Sequence, residues 1–181
     1  LLPRASYYIE HQEMDEFKKL SRKALNFVFL IASPMMIYFM LFAKQGIYFL
    51  SGDAFGPAVV PMQLIMPTLL LIGITNILGI QILVPLGYEK AVLVSEIVGA
   101  VIDLVVNALL IPQYQSSGAA IGTLLAEFAV MVVQCIALKD EIKTDFSDIK
   151  FLKIILAIIL ASLASFWVTA LNLHVFITLV I

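Results

Sequence analysis

The sequence predicts an all-α protein, a polytopic bundle of membrane-spanning helices, and three observations carry that prediction. Hydrophobic residues make up 62% of the chain and charged residues 13%, with a mean hydropathy of +1.04, outside the balance of a water-soluble domain. Several apolar runs reach the roughly 20 residues that a helix needs to cross a hydrocarbon core about 30 Å thick. Lys and Arg collect in alternate connecting segments, as they do in loops kept on the cytoplasmic side of a bilayer.

The elements follow in order. Residues 1–23 are expected to hold the end of a preceding helix and a cytoplasmic connector. Over Glu10 to Lys23, Met14, Phe17, Leu20 and Ala24 recur at helical spacing among charges, the pattern of an amphipathic helix at the membrane surface, either solvated or touching lipid headgroups. The first span runs from Ala24 to Ala43, with a kink expected at Pro34. The second, Val59 to Leu86, is too long to stand upright and carries Pro61, Pro67 and Pro85, so it should tilt or bend. The third covers Ala91 to Ile111 and stops at Pro112, and the fourth covers Gly118 to Leu138 and stops at Lys139-Asp140-Glu141. Residues 24–138 thus form a four-helix transmembrane part of the bundle. A cytoplasmic loop follows at 139–153, where Lys139, Lys143, Lys150 and Lys153 mix with acids as in an ordinary solvated loop. Further spans occupy 154–181: a fifth over Ile154 to Leu173 and a partial sixth from Val175. The chain opens on Leu1 without a methionine and stops seven residues into that sixth stretch, so an N-terminal half is expected to lie outside it.

This order places ten of the eleven basic residues on one side of the membrane and leaves only Lys44 on the other. The basic residues form no single surface and the net charge is −2, so nucleic acid is not an expected partner, whereas membrane lipids are. Cys135 is the lone cysteine, which excludes an internal disulfide and any multi-cysteine metal site. His11 and His174 sit in connectors at opposite ends of the chain, too far apart for a metal pair or a catalytic dyad. No phosphate loop, dinucleotide fingerprint, zinc motif or nucleophile elbow is present, so neither a bound cofactor nor an enzyme active site is expected. Trp167, Tyr38, Tyr48, Tyr88 and Tyr114 fall mostly near span ends and read as interface anchors.

Ionisable residues inside spans are expensive, and each is a functional candidate. Glu96 and Asp103 share the third span with Gly99 and Asn107 at spacings of three and four, which keeps all of them near one helix face. Glu127 lies one turn after Thr123 in the fourth span. Counted inward at 1.5 Å per residue, Asp103 and Glu127 lie at similar depths of roughly 12 to 13 Å, with Asn107 and Thr123 shallower and Glu96 and Asn76 deeper. A polar stripe across three helices is therefore expected, formed by Glu127, Asp103, Glu96, Asn107, Thr123 and Asn76 as a substrate or ion cavity. Carboxylates held together in a low dielectric offer a route to proton or sodium coupling. The competing reading makes the same residues interhelical glue beside Gly118, Ala119, Gly122 and Ala126.

Several segments also have a familiar form: Leu1-Leu2-Pro3-Arg4-Ala5-Ser6, Ser51-Gly52-Asp53-Ala54-Phe55-Gly56-Pro57-Ala58, and Gly79-Ile80-Gln81-Ile82-Leu83-Val84-Pro85-Leu86-Gly87. With Asn107-Ala108-Leu109-Leu110-Ile111-Pro112-Gln113-Tyr114 and Gly118-Ala119-Ala120-Ile121-Gly122-Thr123-Leu124-Leu125-Ala126-Glu127-Phe128, this ordered set resembles the C-terminal half of Wzx-type O-antigen and polysaccharide flippases. Those belong to the multidrug/oligosaccharidyl-lipid/polysaccharide exporter superfamily. The resemblance implies the C-terminal lobe of a two-lobe exporter fold in the bacterial inner membrane. It also implies that undecaprenyl-diphosphate-linked oligosaccharide is carried outward by alternating access, with ion coupling. Asp103 stands where similar sequences often place Asn, a departure from the family pattern. Arg4, near the cytoplasmic mouth, is a candidate contact to the diphosphate, because a guanidinium matches phosphate geometry; the alternative is a purely topological role. Two rivals stand beside this reading. One is a cation-coupled multidrug antiporter of the same superfamily; the other is a membrane-embedded glycan polymerase or acyltransferase, which needs catalytic residues in a long outer loop where these loops are short.

Overall fold

The structure, a computed structural model, describes residues 1–139. The loop from 140 onward and the fifth and sixth spans, with Trp167 and His174, lie outside the described residues. Among the described residues run seven α-helices: α1 (Leu2–Glu10), α2 (Met14–Leu41), α3 (Ala43–Ser51), α4 (Val59–Ile65), α5 (Thr68–Asn76), α6 (Glu89–Tyr114) and α7 (Ser116–Ala137). A 3-10 turn, Asp53–Ala58, precedes α4, and a π-helical stretch, Ile77–Leu83, continues α5. Four segments are long and apolar enough to cross a membrane: Met14–Leu41, Asp53–Leu83, Glu89–Tyr114 and Ser116–Ala137, with mean hydropathies of 1.9 to 2.1.

Local chemistry sets these boundaries. Pro3 sits in the first turn of α1, where a missing N–H removes no helical bond. At the other end His11 stacks on Tyr7 at 4.0 Å and places Nδ1 2.9 Å from the Tyr7 carbonyl oxygen, and Gln12, at φ 60°, turns the chain toward α2. Asp15 and Glu16 occupy the first turn of α2, where they complement the helix dipole, and Lys19 Nζ donates to Glu16 Oε1 at 2.6 Å. No Gly or Pro interrupts residues 14–33, so the backbone ladder carries on without a stop. The helix expected over Glu10 to Lys23 starts at Met14, after α1 ends at Glu10, and runs on without a break into the first span.

That helix passes through Pro34 and breaks at Phe42, where Gln63 Nε2 of α4 donates to the Met40 carbonyl at 3.0 Å and satisfies an oxygen near the helix end. The second span is interrupted within its length. Pro67 separates α4 from α5, and Thr68 Oγ1 donates back to the Ile65 carbonyl at 2.5 Å. Beyond Asn76 the hydrogen bonding widens to the π pattern, which hydropathy alone does not reveal. The third span is longer than expected. α6 runs through Pro112 to Tyr114, because a proline two residues from a helix end removes only one backbone bond. A single residue, Gln115 at φ 51°, then reverses the chain into α7.

α6 and α7 form a hairpin packed along its length, and α7 packs in turn on α4 and α5, with α2 against α5. Small residues let the hairpin close. A Cβ at Gly118 would lie 2.5 Å from the Leu110 carbonyl oxygen. The apolar core gathers at the lysine- and arginine-rich end, where Ala5 of α1, Phe17 and Leu25 of α2, Leu78 and Leu83 of the π stretch, and Leu138 meet. Beside it, Gln134 of α7, 1% exposed, donates through Nε2 to the fully buried Ser95 Oγ of α6 at 3.3 Å, and Gly79 leaves room for the Gln134 amide.

Two substitutions should separate packing from hydrogen bonding when thermal unfolding is followed in detergent. Gly118→Val, forced into the Leu110 backbone, is expected to destabilise by about 1–3 kcal/mol. Ser95→Ala removes one interhelical bond and should cost about 0.6 kcal/mol, the average for such bonds in membranes.

Candidate functional site

The hairpin positions the site. On α6, spacings of three and four carry Glu96, Gly99, Asp103 and Asn107 toward α7, and on α7 the same periodicity presents Thr123, Ala126, Glu127 and Val130 to α6. Between them lies a cleft of about 250 Å³ lined by Glu96, Gly99, Ala100, Asp103, Thr123, Ala126, Glu127 and Val130. Four of the expected cavity residues, Glu96, Asp103, Thr123 and Glu127, therefore share one cleft. Glu96 is exposed, while Asp103, Thr123 and Glu127 are half-buried.

Asn107 sits one turn beyond Asp103 and reaches the same seam. A Cβ at Gly122 would overlap Asn107 Oδ1 and lie 3.4 Å from Asp103 Oδ1, so these two oxygens converge above the bare backbone of α7. Both oxygens are buried and have no hydrogen-bond partner. Buried acceptors are ordinarily satisfied, so such a pair faces a place where a donor or cation lowers the energy. No lysine or arginine lines the cleft. Among the described residues, no three His, Cys, Asp or Glu side chains are grouped closely enough to hold a metal ion by themselves.

Two expected residues lie elsewhere. Asn76 is exposed at the end of α5 and does not line the cleft, so the polar stripe is drawn together on two helices, without its member on the third. Arg4 is exposed on α1, at the lysine- and arginine-rich end. Sequence reasoning missed the Gln134–Ser95 contact and the unpartnered, buried Gln81 Oε1 in the π stretch. The available signal was the presence of amides inside spans, since a neutral Gln in a membrane helix also seeks a partner. Tyr88 and Tyr114 stand exposed beside the two ends of α6, where interface anchors belong, whereas Tyr38 packs on Phe42 with ring centroids 4.7 Å apart.

A family model described as lipid II flippase MurJ matches residues 1–181. No curated protein and no solved structure matches the chain.

If the cleft is wet, cysteines placed on opposite faces of α6 should respond differently in a variant with Cys135 replaced. Ala100→Cys, lining the cleft, is expected to react with a membrane-impermeant thiol reagent, and Val105→Cys, on the opposite apolar face, to stay unmodified. Equal protection of both positions would mean a dry seam.

Proposed function

The chain belongs to the lipid II flippase MurJ family, and on that premise we propose that its cargo is lipid II, carried by cation-coupled alternating access. The class of activity follows from membership: a multi-pass inner-membrane transporter moving a lipid-linked precursor, in the same exporter superfamily that the sequence resembles. The match does not extend to the O-antigen branch expected from that resemblance. An undecaprenyl-diphosphate-linked O-antigen or capsule unit and lipid II share a diphosphate, a sugar headgroup and a polyprenyl tail, and the family match over residues 1–181 favours lipid II. Family members are transporters and not enzymes, which disfavours a polymerase or acyltransferase.

The observation that carries the coupling half of the proposal is the meeting of Glu96, Asp103, Thr123 and Glu127 in one cleft, with the unpartnered Asn107 Oδ1 at its edge. Unneutralised acids at membrane depth are costly, so loading by protons or sodium stabilises one arrangement of the helices over another. Asp103 and Glu127 are assigned the cation, Asn107 and Thr123 supply neutral oxygens, and Glu96 draws cations to the open side. Asn76 is assigned to the cargo path and Arg4 to the diphosphate at the cytoplasmic mouth, where a guanidinium forms paired bonds.

Asp103→Asn and Glu127→Gln, expressed at the normal level, are expected to slow flipping by about 5–150-fold, the usual span of a coupling free energy. Parental flipping in both variants rejects the coupling. Depletion of the protein identifies the cargo. Inner-leaflet accumulation of lipid II with cell lysis supports the proposal, loss of surface glycan with an intact wall points to the O-antigen unit, and sensitivity to cationic drugs alone points to an antiporter.

A further inference from the structure

The glycines of the α6–α7 seam do different work. A methyl at Gly99 would meet the Val130 side chain, Cγ2 lying 2.5 Å away, and one at Gly118 would meet the Leu110 backbone. Both are apolar or main-chain contacts of the kind that bring membrane helices together. Gly122 faces neither. Its missing side chain leaves a notch occupied by the Asn107 carboxamide, whose Cγ would lie 2.9 Å from an added Cβ, with Asp103 Oδ1 just behind. Those oxygens are buried, unpartnered acceptors within the seam, and Thr123, which lines the cleft, is the next residue along α7.

We infer that Gly122 is a positioning residue for the cation: the notch lets Asn107 Oδ1 and Asp103 Oδ1 turn in against α7 and fixes their spacing to Thr123. A methyl group in the notch displaces Asn107 toward the open cleft and separates the two oxygens. The helix pair need not part, because the displaced group is the end of a side chain rather than backbone. This inference rests on the cation-coupled reading above, with Glu96 and Glu127 as the other titratable groups lining the cleft.

The test measures flipping by the intact transporter in proteoliposomes, titrating sodium at fixed pH and then pH at fixed sodium. Gly122→Ala is expected to raise the half-activating concentration of the coupling cation by about 10–100-fold, the usual cost of losing a group that orients a ligand, while flipping recovers at saturating cation. A packing control is Gly73→Ala on α5, where the methyl presses on Val28 Cγ1 at 2.6 Å; it should lower the melting temperature without moving cation dependence. A parental half-activating concentration in folded Gly122→Ala overturns the inference. Should that variant fail to fold, the comparison is between Asn107→Ser and Asn107→Ser with Gly122→Ala, because the shorter hydroxyl makes room for the methyl. Positioning through Asn107 makes the two alike in cation dependence, and a further loss in the double variant overturns it. Parental cation dependence in Asp103→Asn and Glu127→Gln removes the coupling reading itself, whereas altered dependence there and parental dependence in Gly122→Ala removes only the role of Gly122.

Discussion

The close approach of α6 to α7 is the constraint on which the rest of the structure depends. Lipid tails are as apolar as leucine, so two membrane helices gain little by merely excluding lipid from between them; they associate where small residues let backbones touch. Gly118 meets the Leu110 carbonyl, and Gly99 meets Val130. Between these contacts the same hairpin holds Asp103 and Glu127, so the interaction that joins the helices also fixes the distance across the cleft. α7 then serves as the post for α4 and α5, and through α5 for α2.

Backbone and amide groups obey a second constraint, because a bilayer offers no water to an unpaired donor or acceptor. Where the helices break, side chains make up the loss: Gln63 donates to the Met40 carbonyl near Phe42, and Thr68 donates to the Ile65 carbonyl beside Pro67. Gln134 ties α7 to Ser95 of α6 beside the π stretch in the same way. The oxygens left over are therefore informative. Asp103 Oδ1 stands unpaired in a cleft with room around it and Asn107 Oδ1 unpaired at its edge, while Gln134 Oε1 stands unpaired in a packed core.

Much of this was legible in the sequence, for an identifiable reason. Span length and the grouping of lysine and arginine are set by bilayer thickness and charge, so four apolar helices were expected near where they occur. The i, i+3 and i, i+4 spacing of Glu96, Gly99, Asp103 and Asn107 likewise fixed a common face before any packing was known. What depends on packing was not legible. Asn76 sits at a depth like that of Glu96, yet depth along a helix says nothing about rotation around it, and α5 turns Asn76 away from the cleft. The continuity of α2 through Lys23 and of α6 through Pro112 rests on the absence of a stop in one case and on position within the last turn in the other. The π stretch has no signature in hydropathy, because its residues are apolar whichever carbonyl their N–H groups choose. The branch of the superfamily was also beyond residue chemistry, since lipid II and an O-antigen unit present the same diphosphate and tail to a spanning helix.

The charge distribution gives the coupling proposal its physical sense. The basic residues of the described chain, Arg4, Lys18, Lys19, Arg22, Lys23, Lys44, Lys90 and Lys139, lie near helix ends or in the first three turns of α2, and the cleft between α6 and α7 carries only acids and neutral groups. An anionic diphosphate approaching such a cleft is repelled at close range, where the low dielectric leaves the repulsion poorly screened. On the proposed coupling, a proton or sodium ion on Asp103 or Glu127 lowers that penalty, so cation and cargo should favour each other's binding even without touching. Linkage makes the relation reciprocal: a cargo that binds better to the loaded cleft must tighten the cleft's hold on its cation by the same factor. An acid cleft with no basic partner of its own is thus a poor resting place for the substrate and a suitable place from which to control it.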